Sequence, residues 1–203
     1  MARKKLGVMG GTFNPIHNGH IETAEFVKQY LKLEKVLLIP ARESPFKQGE
    51  KFAPPRERFK MVELAIEGKT DFLASDMELR RRGVSYTYNT IKALQEVYGT
   101  DNDLFFLIGA DSLQKLQGWH RIKDILSMCT FVAATRPGFG PQVDQVIESF
   151  GELGASKIIW VRTPEFAISS TDIRERIKQG ISIHGLVAPQ VEEYIKQRDL
   201  YRR

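Results

Sequence analysis

Short apolar runs without polar alternation recur along this chain, and they constrain its fold more than any other feature. They are Leu6–Met9, Val36–Ile39, Leu104–Ile108, Phe131–Ala134 and Ile158–Val161, with a weaker one at Asp71–Ala74. A strand with one wetted face alternates apolar and polar side chains, so continuous runs of this length read as strands covered on both faces. Between them lie stretches with apolar residues at helical spacing. Residues 20–32 place Ile21, Ala24, Val27 and Leu31 so, and residues 56–67 place Phe59, Val62, Leu64 and Ile66. Residues 88–98 and 171–179 follow the same period. The strand starts near 6 and 36 are about thirty residues apart, the span of one βαβ unit. The alternation predicts an α/β chain, an open and mainly parallel sheet with helices on both faces.

At 203 residues the chain is expected to form one domain, residues 1–203, with the last helices, about 170–203, packed as a C-terminal helical part. With 42% hydrophobic and 27% charged residues, it is too apolar for global disorder. The lone cysteine, Cys129, excludes an intramolecular disulfide and any cysteine-rich metal site, and reads as a small core residue. No apolar run approaches the ~20 residues that cross a bilayer. The basic start, Met1 to Lys5, runs into a strand and glycines, unlike a signal peptide, so a cytoplasmic location is expected. Thirty Lys and Arg against 25 Asp and Glu give a net charge of +5, which suits an anionic partner: nucleic acid, a membrane surface or a phosphorylated small molecule. There is no internal repeat. The one compositional shift is at 42–60, rich in Arg, Lys and Pro; its first part reads as an exposed loop and Pro54-Pro55 as the start of a helix.

The most informative segment is Gly10-Gly11-Thr12-Phe13-Asn14-Pro15-Ile16-His17-Asn18-Gly19-His20, between the first strand and the first helix. Ligands of open α/β sheets bind at the carboxyl ends of strands, where glycines let backbone approach phosphate and the next helix offers free N–H groups. Two of the four histidines lie here at i and i+3, where imidazoles can donate to phosphate oxygens. Zinc is the alternative for such a pair, but the spacing is unusual and a third ligand is needed. Ile168-Ser169-Ser170-Thr171-Asp172-Ile173-Arg174 reads as a helix start, with any of Ser169, Ser170, Thr171 or Asp172 as N-cap and Glu175 in capping-box relation to Asp172. The same hydroxyls and N–H groups, with the Arg174 cation, suit a phosphate. Trp119, near the ligand edge of the sheet, reads either as packing or as a platform for a flat ring. Asp111 reads as the N-cap of a following helix. His184, beside Gly185, reads as surface.

The first segment, through His17-Asn18-Gly19-His20, resembles the signature of the His-x-Gly-His nucleotidyltransferase superfamily, with Asn14 where Asp is usual. Ser169-Ser170-Thr171-Asp172-Ile173-Arg174 is similar to its second motif, which binds the triphosphate of ATP. Pro45-Phe46-Lys47, Ser85-Tyr86-Thr87, Ile108-Gly109-Ala110-Asp111-Ser112, Trp119 and Arg136-Pro137-Gly138 resemble, in order, the bacterial nicotinate-nucleotide adenylyltransferases, with Phe46 replacing the family's His. The likeness runs from about residue 6 to Leu200-Tyr201-Arg202.

This resemblance implies a Rossmann-like nucleotidyltransferase fold. It implies transfer of AMP from ATP to nicotinate mononucleotide, giving deamido-NAD and pyrophosphate, with Mg2+ riding on the triphosphate and no metal ligand set in the protein. His17, His20, Lys47 and Arg174 would act on the phosphates. Gly10, Gly11, Thr12, Phe13, His17, His20, Asp111, Ile168, Ser169, Ser170, Thr171 and Arg174 would bind ATP. Gly11, Thr12, Phe13, Lys47, Tyr86, Thr87, Trp119 and His120 would bind the mononucleotide, Trp119 by stacking. The expected partners are these two nucleotides, without nucleic acid or membrane, and a homo-oligomer is compatible with the sequence. The rivals are another phosphorylated acceptor, nicotinamide mononucleotide or phosphopantetheine, and a non-catalytic nucleic-acid-binding protein. Against the last, no helix has a continuous Lys/Arg stripe.

Overall fold

The computed structural model describes residues 3–46, 52–99, 102–135, 140–164 and 166–202, with backbone alone for Ala110, Asp111 and Pro141. The strands are β1 (Lys4–Gly11), β2 (Lys35–Pro40), β3 (Phe72–Ala74), β4 (Asn102–Ile108), β5 (Thr130–Thr135) and β6 (Ile158–Arg162). They form one sheet in the order β3-β2-β1-β4-β5-β6, every pairing parallel. The helices are α1 (Asn18–Leu31), α2 (Pro55–Ala65), α3 (Met77–Arg80), α4 (Thr87–Tyr98), α5 (Ala110–Gln114), α6 (Ile122–Met128), α7 (Gly140–Ser149), α8 (Gly151–Lys157), α9 (Ser170–Lys178) and α10 (Pro189–Gln197).

The pleat explains the unalternated runs. Val36, Leu38, Phe105, Leu107, Val132 and Ala134 point into one buried cluster, which α1, α2, α9 and α10 cover. Their neighbours Leu37, Ile39, Leu104, Phe106, Phe131 and Ala133 point into the other, against α4, α5 and α6. Successive strand residues face opposite sides, so a sheet sandwiched between helices needs apolar residues at both phases. Cys129 is 3% exposed in the second cluster, and burial pushes its thiol up to about 12.

After β1 the chain crosses to β2 on one side, and β4 docks on the other. The connections leaving the carboxyl ends of β1 and β4 therefore diverge and open a crevice at the switch point of the sheet. Gly10 fits that edge because a Cβ there would come within 3.2 Å of the Phe106 ring. Pro55 opens α2, its fixed φ suited to a first helical position. The C-terminal segments close the first face: Asn18 N–H donates to Leu186 O at 2.9 Å, and Tyr194 Oη–H on α10 donates to Glu57 Oε2 on α2 at 2.7 Å.

Candidate active site

The crevice is a cleft of about 750 Å³. Its floor is the Gly10–Phe13 turn, one wall is the start of α1, and the facing wall is the start of α9. Two helix N-termini thus meet over one glycine turn, an arrangement of unpaired N–H groups that favours anions.

His17 is the N-cap of α1 and is 7% exposed. Its imidazole stacks on that of His20, with centroids 3.7 Å apart. The close approach depends on Gly19, whose Cβ would lie 3.2 Å from His17 Nδ1. Burial lowers the His17 pKa to about 4, so its ring is neutral at pH 7. His17 N–H donates to His20 Nδ1 at 3.3 Å. An accepting Nδ1 leaves Nε2 to carry the proton in neutral His20. Phe13, at φ 47°, meets the same ring edge-on at 5.1 Å.

On the facing wall Ser169 is the N-cap of α9, its Oγ accepting from Asp172 N–H at 3.0 Å. That choice corrects the capping-box expectation: Asp172, not Glu175, sits three residues after the cap, and Glu175 pairs with Lys178 on the helix surface. Ser170 Oγ–H donates to Pro15 O at 2.8 Å. Arg174 donates to Asn14 O at 2.9 Å and to Thr171 Oγ1 at 3.3 Å. These polar groups staple the glycine turn to α9 as well as lining the cleft, and the Thr171 hydroxyl keeps its own proton to donate.

Asn14 is more than a turn residue. It is 3% exposed, and its Oδ1 accepts from Ala53 N–H at 3.0 Å and from Tyr201 Oη–H at 2.9 Å. Below it Arg58, 1% exposed, donates to three carbonyls: Ala53 at 3.0 Å, Thr12 at 2.6 Å and Arg42 at 3.2 Å. Burial lowers its pKa, and those carbonyls stand in for a counter-charge. Sequence reasoning missed Arg58 because it sits in a basic, Pro-rich stretch that reads as a solvated connector.

At the β4 side the cleft continues into an adjoining recess of about 350 Å³. Trp119 lines both, as does Thr87. Phe106 and Phe131 hold the indole edge-on at 6.0 and 5.7 Å. The indole Nε1–H is buried without a partner among the described residues. Tyr86 and His120 line the recess, their rings 4.7 Å apart. A second missed residue is Glu78, 6% exposed yet reaching the cleft, whose Oε1 accepts from Thr90 Oγ1–H at 2.5 Å. Burial raises its pKa against the opposing effect of that bond.

Most of the expected residues converge. Gly10, Gly11, Thr12, Phe13, His17, His20, Ile168, Ser169, Ser170, Thr171, Arg174, Thr87 and Trp119 line the cleft, and Tyr86 and His120 the recess beside it. Lys47 and Arg136-Pro137-Gly138 lie outside the described residues, as does the side chain of Asp111. The expected capping role of Asp111 does not hold: Gly109 is the N-cap of α5, and Asp111 falls within the first turn. His184 is exposed, as expected of a surface residue, and pairs with Glu192 on α10. Among the described residues no cluster of three or more His, Cys, Asp or Glu is placed to hold a metal ion. No helix among them is long and apolar enough to cross a membrane.

Comparison with known proteins meets this geometry. The cytidylyltransferase-like family model matches residues 8–176. A probable nicotinate-nucleotide adenylyltransferase of Thermoanaerobacter sp. (strain X514) is 42% identical over 98% of this chain and 95% of its own length. One from Desulfitobacterium hafniense (strain Y51), of the same description, is 38% identical over 98% of this chain and 96% of its own length. In fold, the chain is similar to the Plasmodium falciparum nicotinic acid mononucleotide adenylyltransferase complexed with NaAD, with a TM-score of 0.80 at 18% identity, covering 98% of this chain and 97% of that one.

Proposed function

Because the chain belongs to the cytidylyltransferase-like family and, within it, to the nicotinate-nucleotide adenylyltransferases, we infer that its cleft is the seat of adenylyl transfer in NAD biosynthesis. The chain transfers the AMP moiety of ATP to nicotinate mononucleotide, giving deamido-NAD and pyrophosphate. The observation that most supports the residue roles is the convergence of the His17–His20 stack and the Ser169–Arg174 helix start on one glycine turn.

In this reading an oxygen of the mononucleotide 5′-phosphate attacks the α-phosphorus of ATP in line. A new P–O bond forms, the α–β bridging bond breaks, and its electron pair leaves on pyrophosphate. The nucleophile is ionised at neutral pH, so no general base is needed. The protein's task is positioning and neutralising the charge on the transferring group. His20 donates from Nε2 to the α-phosphate, and neutral His17 donates beside it. Arg174 and Thr171 hold the leaving phosphates, with Lys47 as a further cation. Gly10 to Phe13 contact both nucleotides mainly through backbone. Trp119, Thr87, Tyr86 and His120 receive the nicotinate moiety, and Asp111 the nucleotide sugars. Mg2+ supplies charge neutralisation on the triphosphate; the cleft's donor set, N–H groups and cations at two helix starts, suits an ion that arrives with its substrate.

We further propose one domain over residues 1–203, with 170–203 as its C-terminal helical part. The contacts of Tyr194 with Glu57 and of Tyr201 with Asn14 support it. A buried lone thiol suits a reducing compartment, and we take that to be the cytoplasm. The test is pyrophosphate release with ATP and Mg2+, comparing nicotinate with nicotinamide mononucleotide and resolving products by chromatography. Deamido-NAD from the acid, with little product from the amide, is expected. Equal rates would remove the nicotinate preference, and no product from either would remove the reading.

A further inference from the structure

Phe46 stands on an exposed turn, 48% exposed, at the position where the resemblance has His. An exposed Phe has no packing reason to be there, since its ring adds nothing to the core. Yet it reaches into the site: it lines both the cleft and the recess, and its centroid lies 6.0 Å from that of Trp119, tilted by 37°. Phe106 and Phe131 already hold the indole edge-on, which fixes Trp119 and directs Phe46 at what is left of its surface.

We propose that Phe46 and Trp119 form an aromatic clamp for the acceptor's pyridine ring. The proposal rests on the acceptor reading above. Glycosylation at its nitrogen makes that ring a pyridinium cation. A cation between two aromatic faces is attracted to both ring quadrupoles. Two stacking contacts of about 3.5 Å need roughly 7 Å between the outer rings. The clamp therefore opens by about 1 Å and flattens on binding, a movement within reach of a side chain on an exposed turn. Phe suits this better than His in one respect: it presents an uncharged face at every pH, whereas an imidazolium would repel the pyridinium.

The test uses the full chain with Trp160→Phe, which leaves Trp119 as the sole indole of the two in the sequence. Quenching of its fluorescence by nicotinate mononucleotide gives Kd, and steady-state assays give KM for each substrate. Phe46→Tyr should bind within twofold of the parent. Phe46→Leu, apolar but without a π face, and Phe46→Ala should weaken the mononucleotide at least fivefold and about tenfold, with the ATP KM unmoved and thermal melting unchanged. Phe46→His should match the parent near pH 8 and weaken progressively below pH 6.5. Equal binding by Phe46→Leu and the parent would overturn the clamp and leave only apolar contact, and an effect on the ATP KM alone would overturn its placement. Absence of deamido-NAD from the parent chain would remove the acceptor reading and the clamp together; normal product with an unaltered Phe46→Ala Kd would remove the clamp only.

Discussion

At the scale of single residues, the two histidines of the cleft differ in burial. Half-buried His20, whose Nδ1 accepts from His17 N–H, is the proposed transition-state donor. His20→Ala should lower kcat on the order of 10²-fold with little change in either KM, the pattern of an interaction made mainly in the transition state. Unchanged pyrophosphate release would remove the imidazole from the mechanism. Buried His17 binds its proton far less readily in the fold, at about 4, than in the unfolded chain, at about 6.5. The unfolded chain therefore takes up protons first as pH falls. Stability from keeping this ring neutral is fully present above pH 6.5 and is lost between about 6.5 and 4, by up to about 3 kcal/mol. Urea unfolding at pH 7.5 and pH 4.5 should show that loss, and His17→Gln should reduce it. Both histidines were legible in the sequence, because the spacing His17-Asn18-Gly19-His20 after two glycines says where they stand. Their opposite environments were not, since the ring stack depends on how α1 seats against the turn.

At the scale of elements, the strands were the most legible, because burial on both faces writes itself into the central residues of β1, β2, β4 and β5. Helices α6, α7 and α8 were not foreseen individually; α6 and α8 have seven residues each, too few to display a full apolar period. The start of α9 was legible as a helix cap, but not which of four residues caps it, since several can accept from an N–H. Ser169 does, so Ser169→Ala should cost about 1 kcal/mol. That corresponds to a drop of about 2–4 °C in Tm for a chain of this size. Ser170→Ala removes the bond to Pro15 and loosens the glycine turn. It should lower kcat more than its effect on Tm implies. Equal Tm for Ser169→Ala and the parent chain would place the cap elsewhere.

At the scale of the molecule, the segment after α10 reaches back beneath the site to the turn that follows β1. Tyr201 and Asn14 are 187 positions apart, a pairing no local pattern can announce. Leu200 N–H donates to Ile195 O, turning the chain back after α10, and Tyr201 takes a left-handed φ of 68°. Burial raises the pKa of its hydroxyl, so it stays protonated and donating across the working pH range. Its partner Asn14 hands its own carbonyl to Arg174, so one residue joins the glycine turn, α9 and the chain end. The residues after α10 therefore hold the glycine turn in shape, beyond covering a helix. A chain ending at Asp199 keeps α10 and the Glu57 contacts of Tyr194 and Arg198, and loses this support together with the packing of Leu200 and Tyr201 on the first cluster. It should remain folded, with Tm lowered by several degrees and kcat by about tenfold. Tyr201→Phe, which loses one hydrogen bond and keeps the packing, should cost about 1 kcal/mol and a smaller part of kcat. Turnover of the shortened chain equal to that of the whole one would show that the turn keeps its shape through Arg58 and α9 without help from the chain end.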